Sequence, residues 1–367
     1  MFLLISFFES LFYPIGFYLY EVYFMLWEIR KSLEEAHSLA LFGHENIDWD
    51  ALGSILWFWA LLEKQGKEVS YFTPNKPGHV YDFLNLWDKI RTEFDYWKYD
   101  VLVFLDFNQY SRIPAFTLWH GEYFDNCRKV IIDHHKPEEE PINTLIYRDP
   151  TSISTCSLLY EITKDWWNKF YDDKIATYFY MWLSTDSWNF RYDEWEQSVR
   201  SFRVAADLLE LWADKKLIVD EVFRSKSYRS VQFMQHVLWR MQKIHILIPW
   251  EDTVLNVIYS YYEDSELEQY DIDRDEADYW LHVMQDIRND DLVIYIKKVD
   301  NYLKVSLRWR WNIDCSYLAN LFGWWGHHNA AWLKIQSCWY IEKDVKDFLE
   351  QVDQYFREQS KKLLCWE

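Results

Sequence analysis

The sequence predicts an α/β protein: a parallel sheet with helices on both faces, then a helical linker, then a smaller α/β domain. Three observations predict it. Short, continuous apolar runs near residues 39–42, 101–105 and 130–132 have the length and solid hydrophobicity of buried parallel strands. Stretches with helical apolar spacing lie between and after them, the alternation that a sheet wrapped by helices requires. The chain of 367 residues is long enough for two domains, each with its own core.

The elements follow in order. After the run at 39–42 comes His-Glu-Asn-Ile-Asp-Trp-Asp at 44–50. Residues 51–65 then carry helical spacing and stop at Gly66. Residues 69–72, 102–105 and 130–132 read as further strands, and 154–164 and 175–182 as helices. Residues 197–246 are polar and helical, with helices expected over 199–211 and 230–244. Beyond residue 253, strands are expected at 254–259, 292–297 and 303–307, and helices at 316–322 and 342–360. The expected division is an apolar extension over 1–24, a first domain over 25–200, a helical linker over 201–250 and a second domain over 251–360.

The chemistry concentrates where the apolar runs end. His44, Asp48 and Asp50 fall within seven residues, where a loop could turn all three side chains to one side. Asp106 directly follows 101–105, and Asp133-His134-His135 follows 130–132. Asp186 lies in Ser184-Thr185-Asp186-Ser187, read as another loop. Ligand groups gather at the carboxyl ends of parallel strands in open α/β sheets. Aspartate and histidine at these spacings suit a pair of divalent cations, and imidazole in the set favours Mn²⁺ over an all-oxygen Mg²⁺ site. Taken singly, each residue has a plainer reading, since an Asp after a strand ordinarily caps a helix or turn. The set, not any member, points to a metal centre.

These residues resemble the motifs of the DHH phosphoesterase family. Its first motif reads His-x-Asn-x-Asp-x-Asp, as at 44–50. Its second is a lone Asp after a strand, as at Asp106, and its third is Asp-His-His, as at 133–135. Its fourth, an Asp-Thr-Gly-like turn before an aromatic, is matched by Thr185-Asp186-Ser187 with Phe190. A companion C-terminal domain carries Gly-Gly-Gly-His followed by Ala-Ala, and residues 323–331 read Gly-Trp-Trp-Gly-His-His-Asn-Ala-Ala. The resemblance runs from about residue 25 to about residue 355.

The resemblance implies two divalent cations, Mn²⁺ before Mg²⁺. His44, Asp48 and Asp106 would hold one. Asp50, Asp106, His134 and Asp186 would hold the other, with Asp106 bridging. Asp133 would position the ligands, and His135, not needed as a ligand, would contact phosphate or orient the metal's surroundings. In the second domain Arg308, Arg310, Gly323, Gly326 and His327 would bind the substrate's phosphates. Arg112 and Arg191, beside the metal motifs, fit salt bridges as well as phosphate.

The departures from the family are nearly all tryptophan where it has glycine: Trp49, Trp182, Trp188, Trp324, Trp325 and Trp332. Composition agrees, with 23 Trp and only 8 Gly, against roughly 26 glycines expected at a typical share of about 7%. The expectation is that these tryptophans are UGA-encoded glycines read with the standard code. The alternative is a Trp-rich protein that diverged at these loops.

The net charge of −20, from 59 acidic and 39 basic residues, argues against a protein that coats long nucleic acid. Five scattered cysteines without a CxxC pair read as reduced thiols of a cytoplasmic protein. Residues 2–20 are apolar enough for a membrane span, but Glu9 and Pro14 interrupt them and no basic residue precedes them. An early-called start is expected there rather than an anchor.

By resemblance, the expected activity is hydrolysis of short oligoribonucleotides, as by an oligoribonuclease (nanoRNase), or of 3′-phosphoadenosine 5′-phosphate. The expected partners are short oligonucleotides or nucleotides, with no long nucleic acid and no membrane. A homodimer is compatible with this reading. The alternatives are a phosphodiesterase acting on a cyclic dinucleotide or its linear product, and a non-catalytic nucleotide-binding protein if the tryptophans are genuine.

Overall fold

The computed structural model describes residues 22–45, 47–85, 88–135, 142–152, 154–191, 195–248, 253–288, 290–309, 314–324 and 330–363. They form two units, with the main boundary between Arg224 and Ser225.

The first unit opens with a helix over 22–35 (α1). It continues through β1 (Ser38–Phe42), α2 (Trp49–Glu63), β2 (Glu68–Phe72), β3 (Ile90–Arg91), β4 (Val101–Leu105), α3 (Pro114–Thr117) and α4 (Gly121–Asn126). Then follow β5 (Lys129–Asp133), β6 (Thr144–Arg148), α5 (Thr155–Trp167), α6 (Asp173–Asp186), α7 (Trp195–Glu210) and α8 (Lys215–Ile218). The strands form one all-parallel sheet in the order β3-β2-β1-β4-β5-β6. All five residues of β4 and of β5 are buried, as the solid apolar runs require. The two polar residues of β5, Lys129 and Asp133, are also buried; the Lys129 ammonium donates to the carbonyls of Asp125 and Cys127 and so closes the end of α4. Helix α2 buries every residue from Asp50 to Leu62.

The chain order reverses at β1, which has β2 on one side and β4 on the other. Such a switch point leaves a crevice beyond the carboxyl ends of the two strands. The register pairs Phe42 with Phe104 and Leu105 with Ile132. The residues just past β1, β4 and β5 therefore emerge at one level.

The second unit comprises α9 (Tyr228–Trp239), β7 (Gln242–Ile248), β8 (Thr253–Glu263), α10 (Asp264–Tyr270), α11 (Arg274–Asp278) and α12 (Trp280–Gln285). These precede β9 (Leu292–Val299), β10 (Tyr302–Trp309), α13 (Cys315–Asn320), β11 (Ala330–Gln336) and α14 (Ile341–Leu363). Its sheet runs β11-β10-β9-β8-β7, antiparallel except for β8 with β9. One face packs Leu303, Val305 and Leu307 against Val345, Phe348 and Val352 of α14. The other packs Ile258, Tyr262 and Tyr295 against Phe233, Val237 and Trp280.

Two expectations change. The helix expected over 230–244 ends at Trp239, because Gln-Lys-Ile-His-Ile-Leu-Ile at 242–248 alternates with period two and pairs with β8. The stretch expected as a linker is divided, α7 falling in the first unit and α9 with β7 in the second. Among the described residues no helix is long and apolar enough to cross a membrane. Most of the apolar extension (1–21) lies outside them.

The glycine deficit has a conformational counterpart. Gly66 after α2 and Gly323 after α13 have φ of 79° and 77°. Each donates to the carbonyl three residues back, while the next N–H donates five back (Gly66 to Glu63 and Lys67 to Leu62; Gly323 to Asn320 and Trp324 to Ala319). This paired cap requires the left-handed region and is ordinarily made by glycine. Trp188 and Trp212 make the same pair of bonds after α6 and α7, at φ of 47° and 66°. Trp97 also has a positive φ, 69°. Trp182 is buried with no partner for its indole N–H among the described residues, and its ring lies so close to Gly53 that a Cβ there would be 1.5 Å from Cδ2.

A left-handed L-residue costs about 1–2 kcal/mol, and Trp212 is 84% exposed, so its indole contributes little burial. Trp212→Gly is expected to stabilise the protein by about 1 kcal/mol, read as a higher urea midpoint. A lowered midpoint would contradict this account of the cap.

Candidate metal centre

The centre assembles from the carboxyl ends of β1, β4 and β5. After β1 the chain turns at Gly43, where a Cβ would lie 2.6 Å from Ile55 Cδ1. His44 follows, buried, with Nδ1 2.9 Å from the Glu45 carbonyl. That carbonyl can take only a donated proton, so Nε2 is left as the free donor atom of the neutral ring. Nε2 lies 3.7 Å from both Asp48 Oδ2 and Asp106 Oδ2. Asp48 also caps α2, its Oδ1 accepting from Ala51 N at 3.1 Å. The helix-cap reading and the ligand reading of Asp48 thus use different oxygens of one carboxylate.

Asp106 is buried, and its backbone is left-handed at φ 68°. Aspartate tolerates that region better than most residues. Its N–H donates to the Ile132 carbonyl, tying the turn to β5. Asp106 Oδ1 lies 3.4 Å from His134 Nε2 and 3.6 Å from His135 Nδ1, and accepts from Thr155 Oγ1 at 3.0 Å. Asp133, fully buried at the end of β5, accepts from Asn108 Nδ2 at 2.8 Å and from the His135 backbone N–H at 3.1 Å; its Oδ1 is 2.8 Å from His135 Nδ1.

His134 Nδ1 faces the Ser152 carbonyl at 3.2 Å, which again directs Nε2 inward. Its Nε2 is 3.6 Å from Asp50 Oδ2. Asp50 stands in the first turn of α2 and accepts from the backbone N–H groups of Thr155 (2.8 Å) and Cys156 (3.2 Å). A carboxylate on the N-terminal amides of α5 complements that helix's dipole.

Two sets of donor atoms therefore converge. His44, Asp48 and Asp106 form one, and Asp106, His134 and His135 the other, with the atoms of each within 4.8 Å of one another. Separations of 3.4–3.7 Å are long for hydrogen bonds. They are nearer the spacing of donors around a cation: at about 2.1 Å from a metal, neighbouring ligands stand about 3.0–3.4 Å apart, a range that the 3.4 Å pair meets and the 3.7 Å pairs slightly exceed. On this test the residues fit divalent cations.

The electrostatics agree. Burial opposes charge on His44, yet Asp48 and Asp106 hold its imidazole up at about 10. His134 is likewise held at about 10 against burial, chiefly by Asp106. Asp106 is held well below the usual carboxylate range by the two imidazoles, against burial, whereas burial and the nearby Asp106 charge push Asp50 up. Without a cation, imidazolium protons balance the buried carboxylates.

Not every expected residue meets there as expected. Asp50 and Asp186 are helical rather than in loops; Asp186 ends α6, and its side chain lies outside the described residues. His135, not expected as a ligand, joins the second set, while Asp50 does not. Trp49 opens α2 with its ring 4.3 Å from that of Tyr81. Arg308 sits on β10 with Nη1 donating to the Leu307 carbonyl. Gly323 is the cap after α13, whereas Arg310, Trp325, Gly326 and His327 lie outside the described residues. The sequence reading missed Asn108, Ser152 and Thr155. Asn108 lies two residues past Asp106, and the others belong to a Ser/Thr-rich run just before a helix.

Residues 38–181, which carry most of the centre, match the model of the DHH family, N-terminal domain. An exopolyphosphatase-related protein from Bacteroides fragilis superposes with a TM-score of 0.75 at 22% identity, over 90% of this chain and 96% of that one. That likeness is one of fold. RecJ from Thermus thermophilus in complex with Mn²⁺ gives 0.46 at 13% identity, over 91% of this chain and 54% of that one.

The charge balance predicts how the metal-free protein responds to pH. His44 and His134 rise from an ordinary 6.5 to about 10. Their stabilisation is complete below about 6.5 and lost as the pH rises through about 10. The melting temperature in chelator is therefore expected to fall across that window and to recover with added Mn²⁺, which supplies the missing charge. A flat profile in chelator would contradict the assigned imidazole–carboxylate pairing.

Proposed function

We propose that this chain is a metal-dependent phosphoesterase acting on short oligoribonucleotides or on 3′-phosphoadenosine 5′-phosphate. The observation that carries the reading is Asp106. One buried carboxylate, at a parallel-sheet switch point, faces His44 through one oxygen and His134 and His135 through the other. His44, Asp48 and Asp106 would hold one divalent cation. Asp106 and His134, with Asp50 and His135 beside them and Asp186 assigned from its motif, would hold a second. Such a pair polarises a phosphoryl oxygen and brings the pKa of water toward neutrality. Imidazole among the carboxylates favours Mn²⁺.

The protein's own groups do the rest. Asp133 holds His135 beside Asp106, so that its imidazole can meet a substrate phosphate or complete the metal's surroundings. The backbone carbonyls at Glu45 and Ser152 favour the tautomer of His44 and His134 whose Nε2 faces the carboxylates without a proton. The net charge of −20 disfavours long strands, whose binding rests on many phosphate contacts. Arg308, with Arg310, Gly323, Gly326 and His327, is assigned to a remote phosphate of a short substrate, where guanidinium gives a bidentate grip.

Assay of a dinucleotide, a pentamer, 3′-phosphoadenosine 5′-phosphate and a cyclic dinucleotide with Mn²⁺ tests the reading. Hydrolysis of the first three above the last supports it, and no Mn²⁺-dependent hydrolysis of any would overturn it. Asp106→Ala is expected to remove activity at least 10³-fold, the order of loss when a group acting directly on the transition state is deleted. Arg308→Ala is expected to raise KM about tenfold on phosphorylated substrates and to leave kcat on a nitrophenyl phosphodiester unchanged. Equal losses in kcat on both substrates would refute the remote-phosphate role.

A further inference from the structure

Three groups of the centre are held by one segment that no motif includes, the turn leading into α5. The Ser152 carbonyl takes His134 Nδ1. The Thr155 and Cys156 amides take Asp50. The Thr155 hydroxyl, fully buried, donates to Asp106 Oδ1. Thr155 alone reaches two carboxylates, through two different atoms.

The choice of oxygen matters. Asp106 divides its oxygens between the two donor sets: Oδ2 faces His44, and Oδ1 faces His134 and His135. A hydrogen bond on Oδ1 fixes the carboxylate's rotation and leaves one remaining lone-pair direction of that oxygen aimed at the histidines. We propose that Thr155 is a positioning residue that sets Asp106 for the His134–His135 side of the centre, and so governs the second cation rather than the first. The role rests on the reading of this site as a two-cation centre.

The fold permits such a role. Ser154 caps α5 by accepting from Ser157 N, so the first turn is fixed independently of the Thr155 hydroxyl. Removing that hydroxyl should leave the helix, and the amide bonds to Asp50, in place.

The test is Mn²⁺ titration by calorimetry on the full chain, with wild type, Thr155→Val and Thr155→Ser. Valine keeps the shape and the backbone N–H but loses the donor, whereas serine keeps the donor. Wild type is expected to bind two ions. Thr155→Val is expected to bind one with unchanged affinity and the other about 10- to 100-fold more weakly, as for loss of a residue supporting a ligand. Thr155→Ser is expected to restore the second ion. Unchanged binding in Thr155→Val, or equal weakening of both ions, would overturn the proposal and leave the two-cation reading standing. A wild type that binds no Mn²⁺ would overturn the two-cation reading itself, and the role of Thr155 with it. If Thr155→Val does not give a wild-type circular dichroism spectrum, Thr155→Ala carries the same comparison.

Discussion

The first unit is organised around keeping one buried carboxylate, Asp106, in balance. A charge of this kind costs several kcal/mol to bury unless opposite charge and hydrogen bonds surround it. Here His44, His134, His135 and Thr155 supply them, from segments that follow three strands. They converge because β1, β4, β5 and β6 are neighbours in one sheet, in a register that ends β1, β4 and β5 together. A slip of one residue between β4 and β5 would turn Asp106 to the opposite face of the sheet. The same charge suits the site to a divalent cation, because protons on imidazole are a replaceable counter-charge.

The left-handed backbone at Asp106 belongs to this arrangement. Positive φ outside glycine is uncommon and persists where surrounding contacts over-determine it. The Asp106 amide is bonded to Ile132 and both carboxylate oxygens face partners, so the turn is held from three directions. Local backbone cost is offset by placing the carboxylate between the ends of two neighbouring strands.

Much of this was legible in the sequence. Solid apolar runs marked β1, β4 and β5 because strands buried on both faces have no polar phase to confuse them. The residues after those runs then named His44, Asp48, Asp106 and His134. Asp50 and Asp186 were read as loop residues because a motif gives order, not the point at which a helix begins or ends. The α5 turn was not legible, since its bonds to Asp50 and Asp106 span 105 and 49 residues and Ser and Thr before a helix look like ordinary caps. In the second unit the start of β7 was taken for the end of a helix because polar residues there blurred the period. The tryptophans tell a related story. Composition suggested glycine, and Trp188 and Trp212 adopt the cap conformation that Gly66 and Gly323 adopt.

The central claim is that Asp106 is shared between two cations. Anomalous diffraction from crystals grown with Mn²⁺ measures this directly. Two peaks are predicted, both in contact with Asp106, one beside His44 and Asp48 and the other beside His134. A single peak, or two peaks of which one does not touch Asp106, would contradict the account.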